Sequence, residues 1–151
     1  QNNFSLLNRR FLDELANACR REQVSLLPYS PIGGGVLSGK YNGGKMPSNS
    51  RFNEYQKHEN PRQKAMAKRF VNKATLASTE QYLEIAKKAD LSLVTLATAW
   101  SMHFDFVAST IVGARSADQL DEVLLALEVS LSEDILSECN EVHNQIPYPM
   151  G

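Results

Sequence analysis

Apolar residues recur along the chain at two spacings. Phe11, Leu12, Leu15, Ala16 and Cys19 fall together at helical spacing, with Arg9, Arg10, Asp13 and Arg20 on the opposite side. A helix is therefore expected over 9–21, with Asn8 as its N-cap. Val24–Tyr29 is a short apolar run that reads as a strand, and Gln1–Leu7 as a strand or a strand end. The next clear helix spans Thr75–Asp90, with Leu76, Tyr82, Leu83 and Ala86 inward and Glu80, Glu84, Lys87 and Lys88 outward. Ser92 caps an expected helix over Leu93–His103, in which Trp100 sits among Ala and Leu as a core residue. Phe106–Val112 reads as a buried strand. Ser116 and Gln119 then form a capping-box pattern that opens a helix over Ala117–Leu127. A last helix, capped by Ser130 or Ser132, runs to Asn144.

Two stretches break these rhythms. Ser30–Arg51 holds Gly33, Gly34, Gly35, Gly39, Gly43 and Gly44, a long loop suited to unusual backbone angles and close approach of a ligand. Phe52–Arg62 is polar and ends at Asn60-Pro61, a helix-start signal. Arg62–Lys73 is helical in propensity, and its Lys64, Lys68, Arg69 and Lys73 read as a solvated face.

Alternating strands and helices predict an α/β fold with parallel strands. About three strands are found, where a closed eight-stranded (β/α) barrel takes roughly 250 residues. Alone they would leave apolar edges open, so the chain reads as part of a larger fold.

The composition narrows the function. With 151 residues, 42% hydrophobic and 22% charged, the chain has the make-up of one globular domain. A net charge of -1 argues against a nucleic-acid partner. No apolar run approaches the ~18 residues that span a bilayer, so no membrane partner is expected. Cys19 and Cys139 belong to no CxxC pattern and are expected to be reduced thiols, which points to a cytoplasmic setting. The chain starts at Gln1 without a secretory signal pattern and is expected to be the remnant of a longer one.

Candidate chemistry sits just after the two later strands. Tyr29-Ser30-Pro31-Ile32-Gly33-Gly34-Gly35-Val36-Leu37-Ser38-Gly39-Lys40-Tyr41 leaves a strand through small residues. Backbone N–H groups in such a loop suit phosphate oxygens, Lys40 and Arg51 add positive charge, and the Tyr29 ring suits stacking on a heterocycle. A flexible surface loop is the plainer alternative. Gly113-Ala114-Arg115-Ser116-Ala117-Asp118-Gln119 joins a strand to a helix start, where dipole and free N–H groups favour an anion. Here the plainer alternative is a well-capped helix with a surface arginine. Both loops follow parallel strands and so share one rim, which suits a ligand with phosphates at its middle and its end, such as a nicotinamide dinucleotide carrying a 2′-phosphate.

In this order and separation, the two motifs closely resemble the aldo-keto reductase family, in the branch related to potassium-channel beta subunits. The opening Gln1-Asn2-Asn3-Phe4-Ser5-Leu6-Leu7-Asn8-Arg9 resembles the end of that family's sixth barrel strand. The resemblance covers the whole chain. It implies that residues 1–151 are the C-terminal portion of one (β/α)8 barrel domain, strands six to eight with their helices. It implies NADP(H) as cofactor, an aldehyde or ketone as substrate, and hydride transfer as the reaction.

Residue by residue, the resemblance places Gln1 on the nicotinamide carboxamide and Tyr29 on the nicotinamide ring. Ser30, Pro31, Ile32, Gly35, Leu37, Gly39 and Lys40 match the loop around the pyrophosphate, and Arg51 a basic residue closing over it. Gly113, Arg115 and Gln119 match the pocket for adenosine and its 2′-phosphate, and Glu122 a residue facing the adenine. Family members usually carry Asn after that Glu, where this chain has Val123. The family's catalytic Asp, Tyr, Lys and His have no match here, and His58, His103 and His143 are read as structural or surface residues. Two other outcomes of the resemblance are a non-catalytic nucleotide-sensing module and an inert truncated chain.

Overall fold

The computed structural model describes residues 1–150; Gly151, the last position of the expected domain, lies outside the described residues. Strand β1 (Asn2–Asn3) pairs in parallel with β2 (Pro28–Tyr29). On the other side of β2, parallel bridges join Leu26 to Val107 and Tyr29 to Ile111. Main-chain bonds support that edge: Ala108 N donates to Leu26 O at 3.0 Å and Ile111 N to Pro28 O at 2.7 Å. The three segments are the parallel strands expected from the apolar runs, though shorter. Between the bridges, 26 to 29 on one side faces 107 to 111 on the other. That one extra residue is a bulge, and it interrupts the ladder before the rim is reached.

Helices α1 (Leu15–Glu22), α4 (Lys73–Lys88), α5 (Leu93–Met102), α6 (Ala117–Leu124) and α7 (Glu133–Gln145) follow the predicted order. The polar stretch after Ser50 forms a further helix, α2 (Arg51–Lys57), and Asn60-Pro61 opens α3 (Pro61–Phe70). Pro61 occupies the first turn, and Asn60 Oδ1 accepts from Arg62 N at 2.9 Å.

Several start signals differ from expectation. Asn8 does not cap an α-helix: 10–12 is a single 3-10 turn, and α1 begins only at Leu15. The side-chain NH2 of Asn8 donates to Asn3 Oδ1 at 3.1 Å, and its Oδ1 accepts from Arg10 N at 3.5 Å, within that turn only. Helix α4 starts two residues before Thr75, because Asn72 and Thr75 close a reciprocal capping box there. Ser132, not Ser130, caps α7. Ser116 makes no side-chain cap bond; Gln119 Oε1 reaches back past it and accepts from Arg115 N at 3.0 Å.

The core gathers where the helices cover the sheet. Phe4 lies 5.0 Å from Trp100 and 5.1 Å from Phe104, ring centre to ring centre, and Phe106 closes the cluster. Trp100, Phe4, Leu6, Leu7, Leu26 and Leu96 are fully buried. Leu27, Tyr29 and Ile111, in contrast, keep about 39 to 40% of their surface open. The sheet is thus covered on one face and uncovered on the other, unlike the usual parallel sheet.

Arg9 reverses its expected place. Assigned to the polar side of the first helix, it is only 3% exposed. Its guanidinium stacks 4.5 Å over the Trp100 ring and donates to Asn140 Oδ1 and to Cys139 O, each at 2.7 Å. The Tyr82 phenol lies 3.5 Å away and donates to Leu6 O at 3.2 Å. Burial pushes the Tyr82 phenol up to about 12 and the Cys139 thiol up to about 11, so both stay neutral. The same burial lowers the guanidinium from its usual value, and neutral acceptors hold it in place of a carboxylate.

Candidate functional site

The glycine-rich segment is not a slack loop. Residues 33–38 and 42–44 form 3-10 turns, and Val36, Leu37 and Tyr41 are buried in the core. Gly34 has φ +64, and a Cβ there would sit 2.8 Å from Phe52 Cζ, so glycine lets the Phe52 ring lie against the turn. The expected cradle of backbone N–H groups is largely spent inside the loop. Gly33 N donates to Ser30 O, Gly34 N to Ser30 Oγ, Gly35 N and Leu37 N to Ile32 O, and Gly39 N to Val36 O. The charge for a ligand comes from side chains instead.

Those side chains converge on one groove of about 950 Å³. Its lining comes from Tyr29 at the end of β2, from Ile111 and Val112, from the 30–51 segment and from the 113–119 turn. The half-exposed ring of Tyr29 lies at one end. Lys40 reaches in beside Gly35, where φ is +98 and a Cβ would stand 2.9 Å from Lys40 Nζ. Burial pulls the Lys40 ammonium below its usual range, and the charges of Arg51 and then Arg115 press it further the same way. Three cations line one cleft, and two of them press on the third, an arrangement suited to a ligand with several negative charges.

Of the residues singled out from the sequence, Tyr29, Ser30, Pro31, Ile32, Gly35, Lys40, Arg51, Gly113, Arg115 and Gln119 line this groove together. Gln1, Leu37, Gly39 and Glu122 do not. Gln1 is exposed just ahead of β1. Leu37 is fully buried in the core. Gly39 lies under Leu83, which a Cβ would meet at 3.2 Å. Glu122 meets α5 through its main-chain carbonyl, which accepts from Thr95 Oγ1 at 3.0 Å, while its neighbour Val123 lines the groove. Asn49, Ser50, Glu54 and Tyr55 were not singled out and also line it. The helical spacing of Arg51 and Glu54, three apart, was the signal available for Glu54.

Arg115 crosses the groove. Its Nη1 donates to Asn49 O at 2.9 Å, and its Nη2 lies 3.5 Å from Glu54 Oε1. No histidine lines the groove, and no cluster among the described residues has the make-up of a metal site. No described helix is long and apolar enough to cross a membrane.

Parallel strands backed by helices, with a cationic groove at the strands' C-terminal ends, define an α/β protein. The aldo/keto reductase family model matches residues 1–144, and the chain belongs to that family. It is 36% identical over 149 residues to the protein Tas of Escherichia coli, covering 99% of this chain and 40% of that protein. It is 34% identical over 106 residues to a probable voltage-gated potassium channel subunit beta of Arabidopsis thaliana, covering 70% of this chain and 30% of that one. A glycerol dehydrogenase from Gluconobacter oxydans has the same fold, with a TM-score of 0.71 at 18% identity over 97% of this chain and 42% of that chain. The chain therefore spans 40% or less of the length of these curated relatives.

Proposed function

We propose that the chain is the cofactor-holding portion of an NADP(H)-dependent aldo/keto reductase, strands six to eight of the barrel, and that the whole protein reduces aldehydes or ketones in the cytoplasm. The observation that carries this reading is the convergence of Lys40, Arg51 and Arg115 in one groove that also holds the Tyr29 ring. These residues fit a dinucleotide. Lys40, made room for by Gly35, suits the pyrophosphate; Arg115 beside the 113–116 turn suits the 2′-phosphate; Tyr29 suits the flat nicotinamide. When bound, the cofactor supplies the hydride. The chain's own residues anchor its charges and orient its ring toward the uncovered face of the sheet.

Replacing Gly35 by alanine tests the cradle. The new methyl would stand 2.9 Å from Lys40 Nζ, so the ammonium has to shift, and alanine is itself strained at φ +98. The affinity for NADPH is expected to fall about tenfold, the worth of one charge-assisted hydrogen bond. Quenching of tryptophan fluorescence by NADPH reads this directly, and an unchanged curve would remove Lys40 from the site.

None of the residues at hand matches the family's proton-transfer tyrosine and its partners. Tyr82 is buried with a raised pKa, and the three histidines stand away from the groove. The 151-residue chain by itself is therefore expected to bind NADPH without oxidising it. Steady NADPH consumption with 4-nitrobenzaldehyde, followed at the nicotinamide absorbance, would overturn this. A chain that failed to bind NADPH at all would favour the reading of an inert piece.

A further inference from the structure

We infer that Glu54 is an internal stand-in for a ligand phosphate: it holds Arg115 across the groove and is displaced when a phosphate group arrives. The inference rests on the cofactor reading above. Among the described residues, Glu54 is the one carboxylate lining a groove otherwise ringed by cations. Helix α2 places it one turn after Arg51, on the same side, so a single short helix presents a cation and an anion to the groove. Arg51 presses on Lys40 electrostatically, whereas Glu54 faces Arg115 at 3.5 Å.

The geometry makes this contact exchangeable. The two side chains keep 66% and 52% of their surface exposed, which is the regime of weak, screened ion pairs. The shorter bond of Arg115, 2.9 Å, goes to the carbonyl of Asn49 and leaves Nη2 to a longer contact. A phosphate dianion on that guanidinium makes shorter bonds than the carboxylate does. Once it is seated, Glu54 becomes a like charge beside it. Glu54 therefore tunes discrimination: it lowers affinity for a nucleotide with a phosphate at Arg115 and leaves one without that phosphate nearly untouched.

The test compares wild type with Glu54→Gln by calorimetric titration, using 2′,5′-ADP and 5′-AMP, which differ only by the 2′-phosphate. The variant is expected to bind 2′,5′-ADP about fivefold more tightly, as one weak ion pair is worth. Affinity for 5′-AMP should change by less than about twofold. The gain should vanish at about 1 M salt, where the screening length falls to ~3 Å. Equal tightening for both nucleotides, or weaker binding of 2′,5′-ADP by the variant, would overturn the inference and leave the cofactor reading standing. If wild type and variant alike fail to prefer 2′,5′-ADP over 5′-AMP, the assignment of Arg115 to the 2′-phosphate falls, and the inference with it.

Discussion

Replacing Arg115 by glutamate in the whole protein is expected to weaken NADPH binding about a hundredfold and NADH binding less than about threefold. Arg115 leaves the turn at the end of the 107–111 segment and spans the groove to Asn49 and Glu54. Glutamate there removes a guanidinium fork and sets a second carboxylate beside Glu54, so a 2′-phosphate loses its anchor and meets two like charges. The contacts proposed for the ring and pyrophosphate of NADH, Tyr29 and Lys40, are left in place by the substitution. Dissociation constants for both cofactors, measured by fluorescence titration, check the ratio. An equal loss for both would mean that Arg115 holds the groove together rather than reading the phosphate.

Replacing Arg9 by alanine is expected to cost about 4 kcal/mol of folding stability, a large share of the ~5–15 kcal/mol that holds a domain together. The loss has three parts. The Asn140 side chain and the Cys139 carbonyl lose their donor, the Trp100 ring loses its stacking cation, and a channel opens between α7 and the start of the chain. Arg9→Met fills the channel but donates nothing, and should recover about half of the loss. Arg9→Lys should recover no more, because one ammonium cannot reach both acceptors while lying flat on the indole. Urea unfolding followed by tryptophan fluorescence reads all three, and a cost below about 1 kcal/mol for alanine would show that the network is incidental.

Much of the architecture was legible because it rests on periodicity. The helices over 73–88 and 93–102 bury Tyr82, Ala86, Leu96 and Trp100 on the expected side, while Leu76 and Leu83 are only half-buried and Thr75, Thr79 and Ile85 take the inner face with them; the two apolar runs pair in parallel as expected. What the pattern hid are features settled by tertiary partners. Arg9 reads as polar surface until Trp100 and Asn140, far along the chain, are brought to it. Asn8 has the composition of a cap, yet the chain after it makes a single 3-10 turn and the α-helix begins only at Leu15. Gln119 matches a capping box, but its acceptor is drawn one residue earlier, to Arg115 N. The glycines were legible as a ligand-approach segment. That their N–H groups bond inside the turn was not, because the same residues suit either arrangement. The grouping of Lys40, Arg51 and Arg115 was readable from two loops following parallel strands; Glu54 emerged only once α2 had turned toward them.

The sheet that supports this groove has a dry side and a wet side. Leu27 and Ile111 stand on the wet one, next to the Tyr29 ring. Anything that covers Leu27 and Ile111 also covers the Tyr29 ring. Shelter of that face of the sheet and shelter of the groove's aromatic residue are therefore one event, not two.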